Sequence, residues 1–193
     1  MTSALDVGVE LLDRSLAYTR VALAEVRPSD LVRPTPCSGW DLGALLAHLD
    51  DALDAFLEAA GGSVSTARPA PAPVDVPRLQ EKARALLGVW SGPGRPDGAE
   101  GATGHGTEVE VGGLPVPPAL VVSAAAVEVA VHGWDVATAL GLAHPVPPDL
   151  AEALLPLARD LAPLGRFAEP VAVPDDAPAA VRLLGLLGRP AQG

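Results

Sequence analysis

Apolar residues recur at helical spacing from about Ser3 to Val26, where Leu5, Val9, Leu12, Leu16, Leu23 and Val26 line up before "RPSD" breaks the pattern. This predicts a first helix. In "TPCSGWDLGALLAHLDDALDAFLEAAGG", Leu42, Leu45, Leu49, Ala52, Leu53 and Phe56 make a second stripe, with His48 beside it. Ser38 reads as the N-cap, Asp41 three residues on as an Asp form of the capping box, and Gly61 as the stop, giving a helix near Trp40 to Ala60. "VDVPRLQEKARALLGVW" predicts a third helix in which Asp75 or Val76 precedes a proline suited to the first turn. "GTEVEVGGLPVP" alternates valine with polar residues around a Gly-Gly pair, the pattern of a short strand or hairpin. Pro118 to about Leu140 is a long Ala- and Val-rich helix of the kind found at the centre of a packed domain. Pro148–Leu161 and a short run from Ala179 to Leu187 complete the set. The sum is an all-α protein, a four-helix bundle with long proline-rich crossovers and a short β-hairpin. No 20–50-residue repeat is visible, which argues against a solenoid.

Composition narrows the function classes. A length of 193 residues suits one domain spanning 1–193. Its 24 acidic and 13 basic residues give a net charge of -11 with the basic side chains scattered, so neither nucleic acid nor an anionic membrane is an expected partner. "TSALDVGVELLDR" after Met1 has no basic or uninterrupted apolar stretch, and no later run is read as a membrane span, so a cytoplasmic protein is expected, as a monomer or homodimer. A single cysteine, Cys37, excludes an internal disulfide. With aromatics at 3%, the core must be built from Leu, Val and Ala.

Against this background "VEVAVHGWDV" is anomalous, because it sets Glu128 and His132 inside an apolar helix. Four residues apart, the two side chains leave one helix face and can converge on one point. An isolated buried carboxylate costs several kcal/mol unless it is paired or binds a cation, and Val127, Val129, Ala130 and Val131 offer no partner. A bound metal resolves that cost. His48 is then the natural third ligand if the second and fourth helices are neighbours, and two imidazoles with one carboxylate leave room for water or a substrate. The pattern equally allows Glu128 and His132 to hydrogen-bond to each other and His48 to a backbone carbonyl. No His-Glu-x-x-His motif is present, so metallopeptidase chemistry is disfavoured. Trp40 and Trp134 stand near the ligand positions as pocket-wall or packing residues, and Asp135 can hydrogen-bond to a ligand imidazole from behind or serve at the surface. Cys37 precedes a helix N-terminus, where the dipole would favour a thiolate, but no base is visible beside it and a structural role is expected. His105 and His144 read as loop histidines, with His105 able to reach a pocket mouth.

Taken together, "TPCSGWDLGALLAHL", "VEVAVHGWDVATALG" some 80 residues later and the terminal "VPDDAPAAVRLLGLLGRP" resemble the DinB-like proteins related to the metal-binding domain of mycothiol-dependent maleylpyruvate isomerase. The resemblance spans most of the chain. It implies a DinB-like four-helix bundle in which His48, Glu128 and His132 bind a divalent metal, usually zinc, with mycothiol as cosubstrate. The isomerases carry a further C-terminal domain, whereas this sequence ends soon after "LLGRP", so fold and ligand set are expected to carry over better than maleylpyruvate as substrate. The expected activity is S-transfer or isomerisation on a small electrophile. The alternatives are a thiol-independent hydrolase, lyase or cyclase, and a non-catalytic metal- or small-molecule-binding module.

Overall fold

The computed structural model describes residues 2–37, 39–65, 75–93, 95–96, 108–165 and 167–190. Its elements are α1 (Ala4–Ala24), α2 (Leu42–Ala60), β1 (Ser63–Val64), α3 (Val76–Ser91), β2 (Val109–Val111), β3 (Leu114–Val116), α4 (Pro118–Leu140), α5 (Pro148–Leu161) and α6 (Ala179–Leu186). The protein is mostly helical, a DinB-like arrangement. α1 packs along α4, α4 against α2, α2 against α3, and α3 back against α1, which closes a four-helix bundle. α5 leans on α4 and α1, and α6 lies on α5.

Local chemistry explains the helix starts. Ser3 and Asp6 form a reciprocal capping box on α1: each side-chain oxygen accepts from the other residue's backbone N–H at 3.1 Å. On α2 the cap is Asp41 itself, whose Oδ1 accepts from the Ala44 N–H at 2.8 Å. This corrects the expected cap at Ser38, which lies outside the described residues, as does His105. Loop pairing sets the later start: the Leu42 N–H donates to the Arg33 carbonyl and the Gly43 N–H to the Leu31 carbonyl, both at 2.8 Å.

The expected hairpin is β2–β3, paired Val109 to Val116 and Val111 to Leu114. It turns on Gly112 and Gly113, both at positive φ, as a tight two-residue connection requires. β1, which pairs parallel to β2, was not anticipated. At two residues it is too short to show alternation, and it exists only through its distant partner.

α4 is buried nearly all round, from Val121 through Ala137. Contrary to the sequence expectation, it is long and apolar enough to cross a membrane by length and composition. Its position accounts for that, since 78% of its most apolar window is buried inside the protein. Close approach of α1 to α4 depends on Gly133. A Cβ there would collide with the Thr19 hydroxyl, and would stand 3.1 Å from the Thr19 Cα. The Thr19 hydroxyl meanwhile donates to the Val129 carbonyl at 2.8 Å. Gly133→Ala gains roughly 1 kcal/mol in helix propensity but overpacks the crossing and strains that hydrogen bond, so we expect a net loss of about 1–2 kcal/mol. Urea denaturation is the check, and an unchanged midpoint would show that the helices part freely.

Candidate metal centre

α2 carries His48 on the flank of the stripe formed by Leu45, Leu49 and Leu53, and α4 presents Glu128, His132 and Asp135 along one face. Packing of α2 on α4 brings these faces together. Glu128 Oε1 lies 2.7 Å from His48 Nε2 and 3.2 Å from His132 Nε2. One ligand atom from each residue falls within 4.8 Å of the others. Tetrahedral zinc with bonds of about 2.0–2.1 Å needs ligand atoms roughly 3.3 Å apart, so small side-chain adjustments suffice to seat an ion.

Protonation supports the same fit. Burial alone would raise the Glu128 carboxyl, but hydrogen bonds from His132 and His48 outweigh it and hold the group well below the usual carboxylate range. Burial pushes His132 down, yet its bonds to Asp135 and Glu128 win and carry it up to about 9. Each ring nitrogen of His132 thus faces a carboxylate, Nδ1 at 2.9 Å from Asp135 Oδ2 and Nε2 toward Glu128. Replacing the Nε2 proton by a cation leaves Nδ1–H donating to Asp135, the arrangement metal-bound imidazoles favour. Asp135 therefore stands behind His132 and has no role at the surface, with a relative exposure of 0%.

A residue not singled out from the sequence completes this arrangement. Arg189, 2% exposed, donates from Nε to Asp135 Oδ1 at 3.2 Å and from Nη2 to Asp135 Oδ2 at 2.7 Å. Burial pushes the Asp135 carboxyl up, but His132 and Arg189 together hold it below its ordinary value. The chain reverses at Gly188, at positive φ, where the Arg189 N–H donates to the Leu184 carbonyl and the Gly188 N–H to the Gly185 carbonyl. This Schellman closure turns Arg189 inward. The available signal was "LLGR", a helix-stopping glycine followed by a cation in an apolar end, but nothing in the sequence named Asp135 as its partner.

The two tryptophans divide. Trp40 covers the imidazoles, its ring centroid 4.8 Å from that of His48 and 6.5 Å from that of His132. It is placed there by the "TPCSGW" turn, in which the Thr35 hydroxyl donates to the Trp40 carbonyl at 3.0 Å and Gly39 adopts positive φ. Trp134 packs in the hydrophobic core instead, because two residues rotate it by about 200° from His132. Neither lines the cavity beside the cluster, and Trp134 takes the packing role that was its other expected place. That cavity, of about 550 Å³, opens on His48 and Glu128 and is walled by Ala52, Phe56, Val64, Val111, Leu120 and Phe167, among others. A second cavity of about 300 Å³ between α1 and α3 touches none of the three cluster residues.

Cys37 lies before the Asp41 cap, and burial pushes its thiol up, away from a thiolate, in keeping with the structural role expected of it. His144 stacks on Tyr18 at a centroid distance of 4.4 Å, and the Tyr18 hydroxyl donates to its carbonyl, so it clasps the α4–α5 loop to α1.

The mycothiol maleylpyruvate isomerase N-terminal domain family matches residues 12–137, which contain His48, Glu128, His132 and Asp135 and stop before Arg189. Two uncharacterized proteins, from two strains of Mycobacterium tuberculosis, are each 29% identical over 86% of this chain and 89% of their own length. No solved structure matches.

Proposed function

Since the chain belongs to the mycothiol maleylpyruvate isomerase N-terminal domain family, we propose that it is a metal-dependent enzyme that uses a low-molecular-weight thiol, mycothiol in the first instance, to transfer to or isomerise a small electrophilic metabolite in the cytoplasm. The observation that carries this reading is the convergence of His48, Glu128 and His132 beside an apolar cavity that the first two help to line. A structural site would be closed off, whereas the His48 side chain keeps 29% of its surface accessible.

When bound, a divalent cation, with zinc the best match to two imidazoles and a carboxylate, supplies the Lewis acidity that lowers the pKa of a coordinating thiol. The chain's own residues do the rest. His48, Glu128 and His132 supply the donor atoms, Asp135 fixes the His132 tautomer and ring plane, and Arg189 keeps Asp135 ionised. Trp40 shields one side of the imidazoles from water. Burial pushes the thiol of Cys37, the one cysteine of the chain, up and away from a thiolate, which favours a cosubstrate over Cys37 as the source of the reacting sulfur. In isomerisation the sulfur adds to an activated alkene, the resulting single bond rotates, and expulsion of the sulfur restores the double bond with changed geometry. In transfer the conjugate is released.

The test is turnover of small electrophiles by zinc-loaded protein with and without mycothiol, with His48→Ala as control. We expect product only with both metal and thiol. Metal-dependent turnover unaffected by thiol would replace this reading with hydrolase, lyase or cyclase chemistry, and metal uptake with no turnover would leave a binding module.

A further inference from the structure

The cavity wall has a chemical character that the ligand cluster does not dictate. From His48, the α2 positions Ala52, Ala55 and Ala59 follow at intervals of about one turn, and on α4 Ala124 and Val121 precede Glu128 in the same way. Short side chains on both helices leave the volume open, and the hairpin closes it with Val111 and Val116. Among the described residues lining it, none is Lys or Arg. The polar side chains there are His48 and Glu128 at the cluster end, and Ser65. A substrate carboxylate placed away from the cluster would meet apolar walls at a cost of several kcal/mol, while each buried methylene there would be favourable.

We propose that the cavity takes a substrate with a predominantly apolar body and one electron-donor group at the end that faces His48, Glu128 and His132. This rests on the metal-enzyme reading above for the donor end and on the cavity alone for the apolar body. The volume of about 550 Å³ lies within the range of drug-sized ligand sites.

The experiment is calorimetric binding of a hydroxamic acid series to zinc-loaded protein, since the hydroxamate head binds zinc and the tail samples the cavity. Affinity should rise about three- to four-fold per methylene from the two-carbon to the eight-carbon member. An eight-carbon analogue with a carboxylate at its far end should lose that gain. Ala55→Trp, which fills the space, should flatten the chain-length dependence. Equal affinity for the carboxylate-ended and plain eight-carbon compounds, or no dependence on length in the parent protein, would overturn the proposal. If the protein takes up no zinc, it is the metal-enzyme reading that fails, and the cavity is then read in metal-free protein with 1-octanol against the eight-carbon dicarboxylate. Binding of octanol alone supports the apolar assignment. Binding of the dicarboxylate equal to octanol, or no binding of octanol, overturns it.

Discussion

Untagged protein reconstituted with zinc is expected to retain about one ion per chain, and His132→Ala to retain none after dialysis. In the proposed centre His132 is one of three donors found among the described residues, so its loss should weaken binding beyond the 10–100-fold that follows from disturbing a residue behind a ligand. Glu128→Gln separates the metal reading from a plain hydrogen-bonded core. Glutamine keeps an acceptor oxygen for the His48 and His132 N–H groups, now 2.7 and 3.2 Å from Glu128 Oε1, but it removes the anionic donor. If both variants hold zinc as firmly as the parent, as judged by elemental analysis and competition with a chelator, the three residues are a hydrogen-bonded cluster and no metal centre. Because His132 in the metal-free protein is raised to about 9 and stays protonated at neutral pH, zinc must displace a proton from it. Affinity should therefore increase as pH rises from 6 toward 9, with proton release visible as a buffer-dependent binding enthalpy.

The second large effect is expected at Arg189. Asp135 has no solvent access, and its charge is balanced by His132 and the two-pronged contact from Arg189. Arg189→Met leaves a buried carboxylate without its two-pronged cationic partner, which should cost about 3–5 kcal/mol, because the desolvation already incurred is no longer offset. In a protein of this size that corresponds to a fall in Tm of roughly 10 °C. Arg189→Lys keeps the charge and loses the fork, so it should fall between the two. The pair Arg189→Met and Asp135→Leu should recover much of the stability but none of the orientation of His132, and zinc affinity should remain depressed. A loss below 1 kcal/mol in Arg189→Met, with zinc binding intact, would mean that Arg189 merely fills space. Thermal and urea denaturation, with zinc titration of each variant, provide both readouts.

What the sequence determined alone is what short-range patterns encode. Stripes of Leu and Val with proline and glycine stops delimited α4 and α5 at their observed ends, and the other helices to within one or two residues, because periodicity and termination act within a few turns. The four-residue spacing put Glu128 and His132 on one face for the same reason, and Asp135, three residues further, was already a candidate to support the imidazole. The Gly-Gly pair marked the β2–β3 turn.

Tertiary packing decided everything that depends on which surfaces meet. His48 reaches Glu128 across 80 residues because α2 packs on α4, and only that packing turns an ambiguous Glu-x-x-x-His pair into a three-residue cluster. Arg189 finds Asp135 across 54 residues through the reversal at Gly188, and no local pattern records such a pairing. The cap of α2 moved from the expected Ser38 to Asp41 because the preceding loop pairs with the helix start. Both tryptophans flank ligands in the sequence, yet helix rotation sends Trp134 into the core while a separate turn folds Trp40 over the imidazoles. The cavity is the clearest case. Its alanines were individually unremarkable helix formers, and they became an apolar space only when two helices and a hairpin enclosed them beside His48 and Glu128.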